Sequence, residues 1–317
     1  MKYLLCCLLC LLLLSAPVFA QEDATLDEQM RTLMDEYGLD ADNFALRYHN
    51  LTTGEAYAFN QDTFFAAGWV WTLPLHMYYY IQEALGTFET EEFEPEFTIG
   101  GLTLEQCRFR SIQNADETVA QNMREALGDF RQYQLLINET FGGYDMASLP
   151  DIFYTDTYYS AEFLMNCLKA ISIHPERYGN LMQSYRLVQK AEGIASYEEA
   201  PLVHIRGEAG GMLCDVGEVS AAQPFLVVCF VREETGGDMV LAAVNRLLST
   251  YSQETQLPET TAPTAATRND SDFQVGTERP NDNTIVIRWI VFSLGIAAGA
   301  ALIVMELVQR IRRSRKK

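Results

Sequence analysis

Eleven uncharged residues, Phe65-Ala66-Ala67-Gly68-Trp69-Val70-Trp71-Thr72-Leu73-Pro74-Leu75, constrain the rest of this chain more than any other stretch. Residues 72–85 continue them as a helix pattern that is apolar on every side, through Met77, Tyr78, Tyr79 and Tyr80. A helix without a polar face has to be buried, so the remainder of the domain is expected to pack around it. Pro74 falls in the first turn, where its missing N–H costs no helical bond. His76 sits on this helix and reads either as a packed histidine or as a catalytic one.

The same eleven residues resemble a motif of the penicillin-recognising serine hydrolases, the superfamily of class A β-lactamases and DD-peptidases. There the frame runs Phe-x-Ala-Gly-Ser-x-x-Lys-Leu-Pro-Leu. The serine attacks the acyl carbonyl, and the lysine one turn later helps take its proton. Anchored on Leu73-Pro74, this chain has Trp69 at the serine position and Thr72 at the lysine position. A shift by one gives Gly68 and Trp71. The loss does not depend on that alignment: no serine lies between Ser15 and Ser111, and no lysine between Lys2 and Lys169. Lys169 and Lys190 have Asn166 and Leu187 three residues before them.

The remaining stretches follow the order that the resemblance implies. Leu26, Met30, Leu33 and Met34 have helical spacing, ended by Gly38. Residues 44–49 and 55–60 alternate as strands about a turn at 50–54. After an acidic loop at 87–97 come helices at 102–111, 132–140, 160–171 and 175–191, with a loop at 141–157. Residues 114–123, Asn-Ala-Asp-Glu-Thr-Val-Ala-Gln-Asn-Met, resemble the family's Ser-Asp-Asn-x-Ala-x-Asn-Leu segment. Asp116, Glu117 and Thr118 take the chemical triplet, and an ionised Asp116 cannot donate a proton. Asp116 also reads as a plain helix N-cap, with Glu117 favourable in the first turn. Residues 201–208 resemble the strand that carries Lys-Thr-Gly: Ile205 and Arg206 replace the first two and Gly207 survives. Arg206 could attract a carboxylate or stand as a surface arginine. Strands at 214–219 and 225–231 and a helix at 236–251 close the pattern. The fold implied is an α+β, β-lactamase/transpeptidase-like domain. It has a five-stranded antiparallel sheet, flanking terminal helices, and an all-helical subdomain inserted between strands two and three.

Both ends carry membrane-related patterns. Residues 1–20 have Lys2, an apolar run, and small residues before Gln21, as in a signal peptide. Residues 285–305 are apolar apart from Arg288, long enough to span a bilayer. Arg310, Arg312, Arg313, Arg315, Lys316 and Lys317 follow, which places that end in the cytoplasm. The expected plan is a signal peptide (1–20), an extracytoplasmic domain (21–253), a Thr/Pro-rich stalk (254–283), a transmembrane helix (284–308) and a basic tail (309–317). A precursor of a lipid-anchored protein is the alternative, disfavoured by that tail. Gly295 and Gly299, one turn apart, could support a weak dimer in the membrane. Residues 21–283 hold 15 of the 23 basic and 42 of the 43 acidic residues, a balance of 15 − 42 = −27. That charge disfavours nucleic acid and anionic lipid as partners.

Cys107, Cys167, Cys214 and Cys229 remain after the leader. A symmetric hairpin centred near Ala221-Ala222 would put Cys214 opposite Cys229, either bonded or as two buried thiols. No Cys-x-x-Cys or paired-histidine spacing suggests a metal, and no cofactor is expected. Two functions stay open. One is a cell-surface pseudoenzyme that binds cell-wall peptide or a protein partner. The other is a hydrolase of β-lactams or cell-wall peptides that uses residues outside the three motifs.

Overall fold

In the computed structural model, which describes residues 24–88, 97–188, 192–196 and 202–254, the first helix starts at a reciprocal cap. The Glu28 N–H donates to Thr25 Oγ1 (3.3 Å), and the Thr25 N–H donates to Glu28 Oε2 (2.9 Å). This α1 (Leu26–Tyr37) ends at Gly38, whose φ of 64° is the left-handed conformation that closes many helices. Strands β1 (Phe44–Asn50) and β2 (Ala56–Phe59) form the expected hairpin. The Asn50 carboxamide oxygen shapes its turn by accepting the Thr52 and Thr53 N–H groups at 2.8 and 3.0 Å.

The chain then leaves the sheet for a long insertion. It contains β3 (Phe64–Ala66), a 3₁₀ turn (Gly68–Trp71) and α2 (Thr72–Ala84). Next come β4 (Thr98–Ile99), β5 (Leu102–Thr103), α3 (Leu104–Arg108), α4 (Glu117–Glu125) and α5 (Phe130–Ile137). It ends with β6 (Tyr158–Ser160), α6 (Ala161–Ile173) and α7 (Pro175–Val188). The main sheet resumes with β7 (Leu202–Ala209), β8 (Met212–Val219) and β9 (Phe225–Arg232), followed by α8 (Gly237–Glu254). Its order is β2-β1-β9-β8-β7, antiparallel throughout.

The sheet separates two cores. One face packs α1 and α8 through Met30, Leu33, Val240, Val244 and Leu248. The other packs the inserted helices, with α2 at the centre. Every residue from Val70 to Met77 is buried, as expected of a helix without a polar face. Truncating Leu73 or Leu75 there would cost about 2–5 kcal/mol.

Two expectations are corrected. The inserted subdomain is not all-helical, because it contains the antiparallel pairs β3–β6 and β4–β5. Strands of two or three residues are too short to show alternation in sequence. Cys214 and Cys229 are not opposite one another, since Cys214 faces Phe230 and Asp215 faces Cys229. This one-residue offset sends the two side chains to opposite faces of the sheet, one into each core. All four cysteines among the described residues are free and buried.

No helix among the described residues is long and apolar enough to cross a membrane. The expected signal peptide (1–20), the anchor (284–308) with Gly295 and Gly299, and the basic tail (309–317) lie outside the described residues. So does the stalk (254–283) beyond Glu254, and so does most of the acidic stretch at 87–97.

Candidate functional site

The three motif segments meet at the turn that precedes α2. Gly68 (φ 53°) lies so close to β7 that an added Cβ would stand 2.3 Å from the Glu208 nitrogen. On the strand side, a Cβ at Gly207 would stand 2.2 Å from the Ala67 oxygen and 2.6 Å from the Trp69 nitrogen. Backbone therefore touches backbone at this crossing, and only glycines permit it.

Trp69 projects from the turn between two hollows. The smaller, about 360 Å³, is lined by Trp69, Asn114, Ala115, Tyr185, His204 and Ile205, among others. The larger, about 610 Å³, is lined by Trp69, Trp71, Glu117, Phe130, Gly207 and Glu208, among others. Trp69 and Arg206 line both. The indole is half-buried and meets Trp71 edge-on, with ring centres 6.3 Å apart. It neither fills a single groove nor leaves one open; it divides the space.

Of the eight motif positions, Trp69, Glu117, Ile205, Arg206 and Gly207 line a hollow. The other three do not. Thr72 is buried, and its hydroxyl donates to the Trp69 carbonyl (2.9 Å). Asp116 caps α4 by accepting the Val119 N–H (3.2 Å) and pairs with Arg110 (2.6 Å). Those two donors, the N–H first, hold its carboxyl below the usual range. Thr118 is exposed outside both hollows. Ala115, with φ of 48°, turns the chain so that Asn114 and Ala115 rather than Asp116 face the smaller hollow.

Arg206 is held by carboxylates, Asp238 at 3.1 Å and Glu192 at 3.8 Å. Beside it lies a buried pair that the sequence reading did not single out. His204 Nδ1 is 2.8 Å from Asp215 Oδ1, while Oδ2 accepts the Ile194 N–H (2.9 Å). Burial raises the Asp215 pKa, opposed by His204 and the Ile194 N–H. Asp215 lies directly across β7–β8 from Arg206, so the strand pairing is what brings these groups together.

The residues that line the hollows offer two hydroxyls, Tyr185 and Thr157. Burial pushes the Tyr185 phenol up and away from ionisation. Thr157 Oγ1 donates only to its neighbour Asp156 (3.4 Å). Another hydroxyl–imidazole contact, Ser111 Oγ to His76 Nε2 (3.1 Å), is fully buried in the helical core. Ser111 has one proton and directs it to the Cys107 carbonyl (2.7 Å). Nε2 must then be the donor to Oγ, the reverse of what activates a nucleophile. No cluster of His, Cys, Asp or Glu suited to a metal occurs among the described residues.

No protein-family model and no curated protein matches the sequence. The chain is similar in structure to PBP-A, of which a variant is solved as its acyl-enzyme complex with penicillin G. The identity is 17%, the TM-score is 0.58, and 72% of this chain and 97% of that one are covered. An ancestral class A β-lactamase aligns with 15% identity and a TM-score of 0.58, covering 72% of this chain and all (100%) of its own. A β-lactamase from Chitinophaga pinensis DSM 2588 aligns with 18% identity and a TM-score of 0.57, covering 71% and 99%. These likenesses identify the domain's architecture as the α+β fold of class A β-lactamases and penicillin-recognising serine hydrolases.

Proposed function

We propose that this domain is a pseudoenzyme of that fold, a binding or scaffolding module for cell-wall peptide or a protein partner. The observation that carries the reading is the indole of Trp69 at the turn where the fold's enzymes present a nucleophilic serine. The hydroxyl of Thr72, three residues on, is buried and committed to the Trp69 carbonyl. Acyl transfer of this kind requires an activated hydroxyl beside a proton acceptor. The full chain, incubated with a fluorescent penicillin, should show no covalent adduct by intact mass and no turnover. Stoichiometric labelling, abolished by changing one residue of a hollow, would instead make the protein a hydrolase that uses residues outside the three motifs.

The module would be held outside the cell membrane by the apolar segment at 284–308, with the basic tail at 309–317 in the cytoplasm. The charge asymmetry and the two apolar ends of the sequence support this. Protease added to intact cells should remove the domain and leave a protected tail fragment. A domain that resists digestion until the cells are broken would refute the orientation.

A further inference from the structure

The larger hollow beside Trp69 has a floor and a rim of opposite character. Trp69, Trp71 and Phe130 form the apolar part. Trp71 is fixed edge-on between Trp69 and Tyr133, whose ring centre is 6.5 Å away. The rim carries Glu117, Asp156 and Glu208, all exposed. Among the described residues none of these three carboxylates makes an ion pair. Glu117 accepts only the Gln121 carboxamide (3.1 Å), and Asp156 Oδ1 accepts its own neighbour's N–H (2.7 Å).

Both arginines that line the hollow are already neutralised. Arg124 pairs with Glu125 (3.0 Å) and lies over the Phe130 ring at 5.2 Å. Arg206 is shared between Asp238 and Glu192. The uncompensated charge is therefore negative, and it stands against an aromatic wall that weakens solvent screening. Gly207, Glu208 and Ala209 of β7 run along the same hollow. Since β7 ends the sheet, one side of its backbone has no strand partner.

We propose that this groove receives an extended, positively charged segment of a partner polypeptide. Its lysine or arginine side chains would lie over Trp69 and between Glu117, Asp156 and Glu208. The proposal rests on the reading of the domain as a binding module. A cation is favoured by the carboxylates and by the indole face. A polypeptide is favoured over a small amine because an unpartnered strand edge offers main-chain hydrogen bonds beside the pockets for alternate side chains.

The test titrates the full chain, in a zwitterionic detergent, against a fluorescein-labelled octapeptide of alternating lysine and threonine. A glutamate–threonine octapeptide and spermine serve as comparisons. The lysine peptide should bind saturably and quench tryptophan fluorescence, and the glutamate peptide should not bind. Glu208→Lys with Glu117→Gln should weaken binding about tenfold, and Trp69→Leu about fivefold, each with an unchanged circular dichroism spectrum. Asp35→Lys with Glu36→Lys, on α1 across the sheet, changes the net charge by more and should leave binding within about twofold. Three results would overturn the proposal: no binding of the lysine peptide, equal weakening by the α1 variants, or competition by spermine at the same concentration. The penicillin experiment separates the two readings. An unlabelled chain that ignores the peptide refutes the groove alone, whereas a labelled chain refutes the pseudoenzyme.

Discussion

A chain carrying Trp69→Ser remains unlabelled by penicillin. The substitution removes an indole that covers roughly 200 Å², so it opens the space between the two hollows. Access and chemistry are thereby separated. The new hydroxyl would stand at the right turn, but none of the motif positions that serve the fold's enzymes could take its proton. Thr72 is buried, has no basic nitrogen, and gives its own proton to the carbonyl of residue 69. Asp116 is tied to Arg110 and the first turn of α4. Ile205 supplies only an apolar side chain on β7. In serine hydrolases, loss of the nucleophile or its base costs on the order of a million-fold in rate. Intact-mass analysis after overnight incubation with a penicillin is the measurement. A stoichiometric adduct on the Trp69→Ser chain would mean that the hydroxyl was all the site lacked, and the account of a missing proton acceptor would fail.

The second large effect is acid lability. His76 is fully buried, and burial followed by the Arg108 guanidinium lowers its pKa to about 3. The unfolded chain binds a proton there near the ordinary histidine value of 6.5, while the folded chain does not. Between those values the unfolded state carries more protons, so stability falls as the pH falls. From about pH 7 to about pH 4 this one group removes on the order of 3 kcal/mol. His49, lowered by burial and by Lys169 and Arg47, acts in the same direction. His76→Gln keeps an amide N–H for Ser111 and deletes the titration. Urea unfolding at both pH values should show a smaller acid loss for His76→Gln than for the natural chain. Equal losses would show that His76 does not govern the acid limb.

Much of the architecture could be read from the sequence because local patterns and tertiary burial agree. The Thr25–Glu28 cap and Gly38 bound α1, and the β1–β2 hairpin alternates on both sides of its Asn50 turn. The run from Val70 to Met77 has no polar face and is buried throughout. The thiol geometry was lost on a single residue. Five residues connect Val219 to Phe225, an odd number, and that shifts the pairing from Cys214–Cys229 to Cys214–Phe230. A one-residue slip exchanges the two faces of a strand, and the sequence does not reveal the parity of a loop. The site was legible at Trp69, Arg206 and Gly207, which the apolar frame and the glycine locate. It was not legible at Asp116, where capping and Arg110 turn the carboxylate aside. Nor was it legible at His204–Asp215, which needs the β7–β8 pairing to bring an ordinary histidine and an ordinary aspartate together.

The position of β1 in the sheet affects how the chain can reach this structure. Its neighbours are β2, a few residues away, and β9, with Phe44 opposite Val231. Nearly two hundred residues therefore emerge from the ribosome before β1 finds its second partner. Until then the sheet can form only as separate hairpins, β1–β2 and later β7–β8, each marginally stable in water, and the inserted helices lack the complete face they pack against. Contacts so distant along the chain make for slow folding and a long exposure of Phe44, Leu46 and Tyr48 to other chains. The domain closes only when its last strand arrives, so the nascent polypeptide stays pliable until Phe225–Arg232 has been made.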